Sequence, residues 1–587
     1  MTTKKLINHP DEIIDELIAG IVSAHPSHVF VSGKTKRAIV AQTGPRDGKV
    51  GIVIGGGSGH EPTFAGYVGQ GLADAAAIGN IFASPSPAHI VDAANAVERG
   101  AGVLFLYGNY AGDVMNFDMA AEQLIDQGLR AESFLVTDDI ASAPPERASE
   151  RRGIAGDFFV FKIAGAAADL GLNFDQVKAA AELANANTRT MGVALSACSM
   201  PQTGKANFEI PEGEMEVGMG IHGEPGIERT KIETADQVTD RLLEPILNEL
   251  ECSEHDSVAV LINGLGSTTL LEQYLIHRRV SELLGQRSIK IHNSWVGEYC
   301  TSLEMAGVSI TLLKLDDDLE TWLDHPCNTP ALQVGRISRS RTKQVSPTPR
   351  SVAAASSANT GAVKRRDLKT GGDVTPEIFR SGLLAVAKEI SAQKEYLCEL
   401  DGVIGDGDHG ITMDIGWRAL ANTLNGSEDN LQTITQMCDV CAKIFLDSVG
   451  ASVGPLYATG FKSAGKSVGD RLNLDPYTIA LWIEGMATGI SNRGNAEVGD
   501  KTMIDAWRPG AKAALNIASV DGSTSKQVLE AAAAAANAGA ENTKRLVARK
   551  GRSRTLGERS LGHVDPGAAS AAIILNALAK SIPAPSS

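Results

Sequence analysis

The sequence has 587 residues, of which 43% are hydrophobic and 21% are charged, and its formal net charge is −16. A chain of this length exceeds what one hydrophobic core usually organises, so we expect at least two domains. The negative charge argues against nucleic acid as a partner, because phosphate backbones are held by clustered lysine and arginine. A small phosphate ligand carried on magnesium stays compatible with this charge.

The first residues and the cysteines bear on the location of the protein. Acidic residues follow the two lysines near the N-terminus without an apolar run, so a secretory signal is not expected there. No run of about 18 apolar residues occurs, so we expect no membrane partner. The seven cysteines are odd in number and scattered, which favours reduced thiols and a cytoplasmic location.

Four short apolar runs, each followed by a polar or glycine-rich loop, predict β-strands in the first half of the chain. The succession of strand, glycine loop and helix is typical of an α/β module. In such folds ligands bind beyond the carboxyl ends of the strands, so these loops are candidate site segments. The runs are residues 50–54, 103–107, 133–136 and 258–262.

One histidine, His222, stands among four glycines and a proline in the segment GMGIHGEPG. A histidine in a packed core is surrounded by larger apolar residues. Glycines leave the backbone open to close approach, so this segment predicts a site where a ligand reaches the imidazole.

The segment 336–374 is rich in serine, threonine, alanine and basic residues and lacks apolar periodicity, so it predicts an exposed linker. A helix start follows it, with Thr375 as the N-cap and Pro376 in the first turn. Beyond this point strand signals are almost absent and long alanine- and leucine-rich helical patterns dominate. We therefore expect an α/β module over residues 6–335 and an all-α module over residues 375–580.

Cys438 and Cys441 form a CxxC pair in the second half. Their segment has helical apolar spacing, and the sequence nearby offers neither a second pair nor a histidine. We interpret both cysteines as structural helix residues, with a redox or metal site as the alternative.

Three aspartates, Asp401, Asp406 and Asp408, lie within eight residues in LDGVIGDGDHGITM. Carboxylates this close repel one another in a low-dielectric site unless cations lie between them. Hard oxygen ligands of this kind suit Mg²⁺ completed by water and phosphates. A solvated acidic loop is the alternative. An EF-hand calcium loop is excluded, because its third, fifth and twelfth positions would be Val403, Gly405 and Thr412.

Three further loops offer glycine amides, hydroxyls or charged side chains that can meet phosphates. Each is a weak signal alone, but together in one helical module they indicate a nucleotide pocket. They are GASVGPLY (450–457), GDKTMIDAW (499–507) and GRSRTLGERSLGHVDPGA (551–568).

Motifs in both halves resemble those of the dihydroxyacetone kinase family. GGGSGHEPTFAG, NYAGDVMNF, RRGIAG, TRTMGVALS, GMGIHGEPG and VGEYCTSLEMAG resemble its substrate-binding half, whereas GDGDHG, GDKTMIDAW and LGERSLGHVDPGA resemble its nucleotide-binding half. The fused arrangement resembles the ATP-dependent members. The resemblance implies an α/β ketose-binding module with two subdomains, followed by an all-α helical barrel that binds ATP and Mg²⁺, with a homodimer as the expected assembly.

The resemblance implies that His222 attacks the carbonyl carbon of a ketose and holds it as a hemiaminal. A neutral imidazole nitrogen is a nucleophile near neutral pH, and the tether fixes the hydroxyl to be phosphorylated. Asp113 would act as the general base on that hydroxyl. Glycerol, which has no carbonyl, would be rejected. The positions that would line the substrate, with His60 hydrogen-bonding to it, are Gly57, Ser58, Gly59 and His60.

For the second half, the resemblance implies that the aspartate triplet binds two Mg²⁺ ions that bridge the phosphates of ATP. The positions that match nucleotide contacts are His409, Gly410, Ile411, Thr412, Ser452, Val453, Met503, Arg552, Asp565, Pro566 and Gly567.

The chain departs from the family pattern at two places. Family members that act on dihydroxyacetone usually have a lysine before the NYxGD motif, where this chain has Gly108. We interpret the glycine as loss of a cationic donor and gain of space, which favours a four-carbon ketose such as erythrulose. In GASVGPLY, Val453 replaces a family serine and Ser452 lies one position early, so the nucleotide contact there is reshaped.

The sequence thus predicts an ATP- and Mg²⁺-dependent kinase for a terminal hydroxyl of a short-chain ketose. Two alternatives stay open at this point. Some relatives split FAD into a cyclic flavin phosphate with the same nucleotide module, and others are non-catalytic regulators. The complete aspartate triplet and histidine loop count against a pure regulator.

Overall fold

The computed structural model describes residues 5–202, 204, 206–336, 372–426 and 433–582, without the side chain of Thr555. The chain forms two compact units, of which the first is Met1–Arg339 with Gly450–Ser452 and the second is Ser340–Val449 with Val453–Ser587. Among the described residues, no helix has both the length and the apolar character needed to cross a membrane.

The described part of the first unit contains two six-stranded sheets and a two-stranded one. The strands are β1 (Val29–Ser32), β2 (Ala38–Ala41), β3 (Gly51–Ser58), β4 (Ala75–Ile81), β5 (Val103–Gly108), β6 (Ala131–Val136), β7 (Thr188–Ser196), β8 (Glu214–Val217), β9 (Glu228–Lys231), β10 (Ser257–Gly264), β11 (Lys290–Gly297), β12 (Ala306–Leu315), β13 (Cys327–Asn328) and β14 (Gln333–Val334).

Helices alternate with these strands along the chain. They are α1 (Ile13–Ala24), α2 (Pro87–Val97), α3 (Ala111–Asp126), α4 (Asp157–Asp169), α5 (Phe174–Ala186), α6 (Ala235–Glu249), α7 (Leu270–Gln286) and α8 (Asp317–Asp324), with short 3₁₀ helices at Ala65–Tyr67 and Pro145–Glu150.

The first sheet has the strand order β1-β2-β4-β3-β5-β6. Strands β4, β3, β5 and β6 run parallel, and β1 and β2 are added antiparallel at one side. Every residue of β3 and β5 is buried, as expected for central parallel strands covered on both faces. Because β3 and β5 are parallel neighbours, the segments that follow them emerge at the same edge of the sheet.

The second sheet has the order β11-β10-β12-β7-β8-β9 and is antiparallel except for the pair β10 and β11. Its β8 leads directly into the glycine-rich segment that carries His222. Helices α6 and α7 pack on this sheet, and both start with a capping box, at Thr234 and Thr269. The two sheets are the two subdomains expected from the sequence.

The second unit is helical throughout its described residues, apart from one isolated β-bridge between Val374 and Leu474. Its helices are α9 (Pro376–Ala392), α10 (Lys394–Ile404), α11 (His409–Gly426), α12 (Ile434–Ser448), α13 (Val453–Val468), α14 (Pro476–Gly494), α15 (Ile504–Ala518), α16 (Ser525–Asn542) and α17 (Pro566–Ser581), with 3₁₀ helices at Thr543–Arg545 and Arg552–Ser560.

These helices close into a ring. In turn, α9 packs on α11, α11 on α12, and each helix from α12 to α17 on the next, while α17 returns to α9. The small residues of the predicted alanine-rich segment allow α16 to pack closely on α15 and α17. The helical-barrel expectation is confirmed for this unit.

Several local predictions are confirmed. The four apolar runs form β3, β5, β6 and β10, and Thr375 caps α9 by accepting a hydrogen bond from the Ile378 backbone at 3.3 Å. Cys438 and Cys441 are buried residues of α12, and burial raises the pKa of both thiols, as structural cysteines require. Most of the expected linker, residues 337–371, lies outside the described residues, so the module boundaries stay a prediction.

Candidate functional site

The glycine-rich end of β3 carries the first candidate residues. A Cβ atom on Gly57 would lie 2.7 Å from the backbone nitrogen of Ala83, so this position excludes any side chain. Gly59 has a φ of +101°, in the region that glycine favours. The Ser58 hydroxyl donates to the Gly79 carbonyl at 2.9 Å. These contacts hold the strand end rigid where His60 leaves it.

His60 and His222 meet in the structure although 162 positions separate them in the chain. Their Nε2 atoms are 3.1 Å apart, and the two side chains are buried, with 2% and 6% of the residue exposed. The Thr301 carbonyl accepts from His60 Nδ1 at 2.8 Å. The fold therefore brings the two histidines predicted from separate motifs into one site.

Aromatic rings enclose the histidine pair. Phe82 stacks on His60 with ring centroids 5.0 Å apart and meets His222 edge-on at 5.3 Å. The Tyr110 ring meets His222 edge-on at 4.8 Å, and Tyr110 belongs to the NYAGD segment that follows β5. These rings exclude water from the imidazoles, which favours nucleophilic chemistry at a ring nitrogen.

Glu224 orients His222. Its Oε1 accepts from His222 Nδ1 at 2.9 Å, and its Oε2 accepts from the backbone N–H of His222 at 3.0 Å. A Cβ on Gly220 would lie 2.2 Å from Oε2 of Glu224. Gly220 is thus needed because a side chain there would displace the Glu224 carboxylate that holds His222. This role is separate from the ligand access that the sequence predicts for the glycines of this segment.

A count of hydrogen-bond donors assigns the protons of this cluster. The Thr301 carbonyl and the ionised Glu224 carboxylate only accept, so Nδ1 of each histidine carries a proton. The contact between the two Nε2 atoms requires one more proton between them. We assign this proton to Nε2 of His60, which leaves Nε2 of His222 as the acceptor.

Arg152 lies behind Glu224. Its guanidinium pairs with the buried Asp139 carboxylate at 2.7 Å and donates to the Gly218 carbonyl at 3.1 Å. A Cβ on Gly220 would lie 2.6 Å from Arg152 Nη1, the same glycine that adjoins Glu224. Arg152 therefore lies close enough to Glu224 for their charges to interact.

Asp113 lies in the first turn of α3, beyond the carboxyl end of β5, where its position favours a negative charge.

Gly108 is the last residue of β5, and its surroundings correct the interpretation made from the sequence. A Cβ there would lie 2.9 Å from the Gly153 carbonyl oxygen and 3.2 Å from the Tyr110 ring. The interpretation that Gly108 leaves open space is wrong, because the Gly153 backbone fills that volume.

The aspartate triplet forms a compact buried cluster in the second unit. One ligand oxygen from each of Asp401, Asp406 and Asp408 lies within 4.8 Å of the others. Asp401 Oδ2 accepts from the backbone N–H groups of Asp408 and His409 at 2.9 and 3.1 Å, at the start of α11. Gly405 is required here, since a Cβ on it would lie 2.2 Å from Asp401 Oδ1.

This cluster fits a divalent cation. Burial and the neighbouring Asp401 raise the pKa of Asp408 well above its usual range. Arg552 pairs with Asp406 and lies 3.7 Å from Asp408, so a positive charge is already drawn to the carboxylates. Buried, crowded carboxylate oxygens are the donor set that Mg²⁺ prefers. The EF-hand calcium loop stays excluded, because Val403, Gly405 and Thr412 occupy three of its ligand positions.

Two predicted nucleotide positions, His409 and Asp565, lie near the cluster. His409 Nε2 is 2.9 Å from the Ser570 hydroxyl on α17. Asp565 caps α17 by accepting from the Ala568 backbone at 2.7 Å, and burial raises the pKa of its carboxyl to about 7. The Asp401 charge acts on Asp565, so the two loops are neighbours.

The remaining positions divide into three groups. A Cβ on Gly567 would lie 3.3 Å from Met503, so the loop before α15 and the start of α17, including Pro566, pack together. Gly410, Ile411 and Thr412 form the first turn of α11. Val453 is the buried first residue of α13, and Ser452 precedes it half-buried. Nothing in the described contacts draws Ser452 or Val453 to the aspartates.

The family models match both units. The Dak1 domain matches residues 19–331 and the DAK2 domain matches residues 403–580. The chain belongs to the dihydroxyacetone kinase family. The family's two domain types correspond to the α/β unit and the helical unit, so the fold class expected from the sequence is confirmed.

Relatives within this family span nearly the whole chain. The D-erythrulose kinase of Mycolicibacterium smegmatis is 38% identical over 575 residues, which cover 98% of each chain. The L-erythrulose kinase of Pectobacterium atrosepticum is 37% identical over 584 residues, covering 98% of this chain and 95% of that one. The crystal structure of the dihydroxyacetone kinase from C. freundii in complex with AMP-PNP and Mg²⁺ is 29% identical with a TM-score of 0.53, covering 99% and 100%.

Sequence reasoning missed several residues that organise this dihydroxyacetone kinase family site. Glu224 and Arg152 lie inside the quoted motifs GMGIHGEPG and RRGIAG, but only the fold shows that they support His222. Lys501 lies inside GDKTMIDAW, and its ammonium donates to the backbone carbonyls of Thr543, Ser560 and His563 at 2.7–2.8 Å. The available signal for each was a charged residue inside a glycine-containing motif.

Glu224→Gln is expected to lower ketose turnover by roughly 10²-fold, because an amide can turn either its oxygen or its nitrogen toward Nδ1 and so no longer selects the histidine tautomer whose Nε2 is unprotonated. Steady-state assays with the exposed Glu212→Gln as the matched control test this. Turnover equal to wild type in Glu224→Gln would show that the carboxylate does not orient His222.

Lys501→Met is expected to lower the free energy of unfolding by roughly 3 kcal/mol, because several buried carbonyls lose their donor. Lys501 is 1% exposed and holds together the loop that carries Arg552. Chemical denaturation compared with Lys512→Met, at an exposed lysine of α15, measures the effect. A loss no larger than that of the control would contradict this role.

Proposed function

We propose that this protein is an ATP- and Mg²⁺-dependent kinase that phosphorylates a terminal hydroxyl of a short-chain ketose held covalently on His222. The observation that carries the proposal is the buried contact between the Nε2 atoms of His60 and His222, with Glu224 on the far side. Two relatives that span nearly the whole chain are named erythrulose kinases, which supports a ketose as the substrate.

The histidine pair supplies the chemistry of the tether. Nε2 of neutral His222 attacks the ketose carbonyl carbon, and the π electrons of the C=O bond move to its oxygen. His60, which holds the shared proton, donates it to that oxygen, so a hydroxyl forms. The positive charge passes from His60 to the alkylated His222 ring, where Glu224 balances it. Total charge and protons are conserved in this step.

The tether leaves a terminal hydroxyl of the ketose in a fixed position. We propose Asp113 as the general base that removes its proton, with Gly57, Ser58, Gly59 and Gly108 lining the substrate. A four-carbon ketose is the favoured substrate. The support for this preference is that two relatives are erythrulose kinases. Open space at Gly108 no longer supports it, because the Gly153 backbone fills that volume.

In the helical unit, Asp401, Asp406 and Asp408 would hold two Mg²⁺ ions. When bound, these ions neutralise the phosphate charge of ATP as the γ-phosphoryl group moves. Arg552 would lie beside the phosphates, and its pairing with Asp406 would give way to them. The positions that would contact the nucleotide are His409, Gly410, Ile411, Thr412, Ser452, Val453, Met503, Asp565, Pro566 and Gly567.

The proposal also covers the module boundaries, the assembly and the cellular location. We propose a ketose-binding module at residues 6–335, a linker at 336–374 and an ATP-binding module at 375–580, in a cytoplasmic homodimer without nucleic-acid or membrane partners. The cysteines are all free thiols, which supports a reducing compartment. Light scattering of the purified protein measures the assembly.

ADP release with ATP and Mg²⁺ tests the function across dihydroxyacetone, D-erythrulose, L-erythrulose, longer ketoses and glycerol. We expect turnover of ketoses, a preference for a four-carbon ketose and no turnover of glycerol. Turnover of FAD with no ketose accepted would instead favour the cyclic flavin phosphate activity. Ketose binding without ADP release would favour a regulator.

A further inference from the structure

Asp157 is a buried carboxyl that the proposed reaction does not use. It is the first residue of α4 and is 3% exposed. Within the described residues its Oδ1 has no hydrogen-bond partner. An unpaired polar atom in a buried position destabilises the fold, so its placement calls for a reason.

The unsatisfied oxygen lies beside Gly108. A Cβ on Gly153 would be 3.0 Å from Asp157 Oδ1 and 2.5 Å from the Cα of Gly108. Gly153 therefore packs between the Asp157 carboxyl and the backbone of Gly108. Gly108 ends β5 and leads into the segment with Tyr110 and Asp113, so Asp157 adjoins the base of the candidate ketose site.

Two further neighbours connect Asp157 to the histidine pair. Its charge acts on Cys300, which also acts on Tyr110, the residue whose ring meets His222. Cys300 precedes Thr301, whose carbonyl accepts from His60. Asp157 therefore lies near the segments that carry both sides of the histidine site, through Cys300 on one side and through Gly108 on the other.

The surroundings favour the neutral acid. Burial is the largest cause that raises the pKa of Asp157 well above its usual range, and the charges of Asp138 and Asp113 add to it. No cation is among the groups that act on this carboxyl in the described structure. A neutral carboxylic acid offers both a donor and an acceptor, which is the pair of contacts that a sugar hydroxyl can use.

We propose that Asp157 is a specificity-determining residue, whose carboxyl hydrogen-bonds the additional hydroxyl that a four-carbon ketose has and dihydroxyacetone lacks. This inference rests on the proposed ketose kinase function. It gives the unsatisfied Oδ1 a partner only when the longer sugar is bound. A buried polar group left without its partner discriminates strongly against the shorter substrate, which space alone does not.

The test compares kcat/KM for D-erythrulose, L-erythrulose and dihydroxyacetone in wild type, Asp157→Leu and Asp157→Asn. Leucine is close in size and removes both polar contacts, so we expect about a 10²-fold loss for the preferred erythrulose and little change for dihydroxyacetone. Asparagine keeps a donor and an acceptor, so we expect a smaller loss of the same selectivity. Asp175→Asn, at an exposed first-turn aspartate of α5, is the matched control.

Equal losses for both substrates, or no loss for either, would overturn the inference while leaving the proposed function intact. Wild-type protein that releases ADP with no ketose would overturn the proposed function and the inference with it. If thermal unfolding shows that Asp157→Leu does not fold, the asparagine variant decides, by selective loss or by its absence.

Discussion

His222→Ala is expected to lower ketose turnover by about 10³-fold or more, while ATP binding stays at the wild-type level. The variant removes the nucleophile and with it the fixed position of the hydroxyl, and orientation of this kind contributes several kcal/mol to a barrier. His222 belongs to the α/β unit, whereas the aspartate triplet and every predicted nucleotide position except Ser452 belong to the helical unit. Turnover by coupled ADP release and nucleotide affinity by calorimetry separate the two effects.

The exposed His9→Ala is the control for this prediction, since it removes an imidazole from the same unit without touching the site. His60→Ala adds a second comparison. It keeps the nucleophile but removes the proton donor, so we expect a smaller loss than in His222→Ala. Equal turnover in wild type and His222→Ala would rule out the covalent tether.

Asp408→Asn is expected to lower turnover of every ketose by on the order of 10³-fold, because loss of a charged ligand weakens the Mg²⁺ that stabilises the moving phosphoryl group. The same variant is expected to raise the thermal midpoint of the metal-free protein. Its carboxyl is buried and close to Asp401, so ionising it costs free energy that asparagine does not.

Turnover at increasing Mg²⁺ and thermal unfolding in the presence of a chelator measure these two effects. Asp439→Asn, at an exposed aspartate of α12, is the control. A merely structural aspartate would behave in the opposite way, with lower stability in chelator and turnover reduced only in proportion to the unfolded fraction. Ketose binding to the α/β unit should be unchanged in Asp408→Asn.

The local parts of the fold and site could be predicted from the sequence. Strands β3 and β5 are continuous apolar runs that end in glycine loops, and the three aspartates lie within eight residues, with Asp401 at the end of α10 and Asp406 and Asp408 in the loop that follows. In both cases the residues that matter are neighbours in the chain. The helix start at Thr375 was predictable for the same reason, since a cap and its helix are adjacent.

Contacts between distant segments could not be predicted from spacing. The family resemblance implied that His60 and His222 act on one substrate, but their direct contact was not predicted, because no local pattern relates the two loops. The interpretation of Gly108 failed for this reason as well. A glycine read alone suggests space, but the backbone of Gly153, on a different segment, fills it. Burial of Asp157 and of Lys501 likewise depends on packing between distant elements.

The most direct test of the tether uses a ketose labelled with carbon-13 at its carbonyl, bound to the wild-type protein without nucleotide and observed by NMR. Attack by His222 converts the planar carbonyl carbon into a tetrahedral one bonded to nitrogen, so the ketone resonance should be replaced by a tetrahedral-carbon resonance. That resonance should be absent in His222→Ala. A bound ketose that keeps its carbonyl resonance in the wild-type protein would contradict the account.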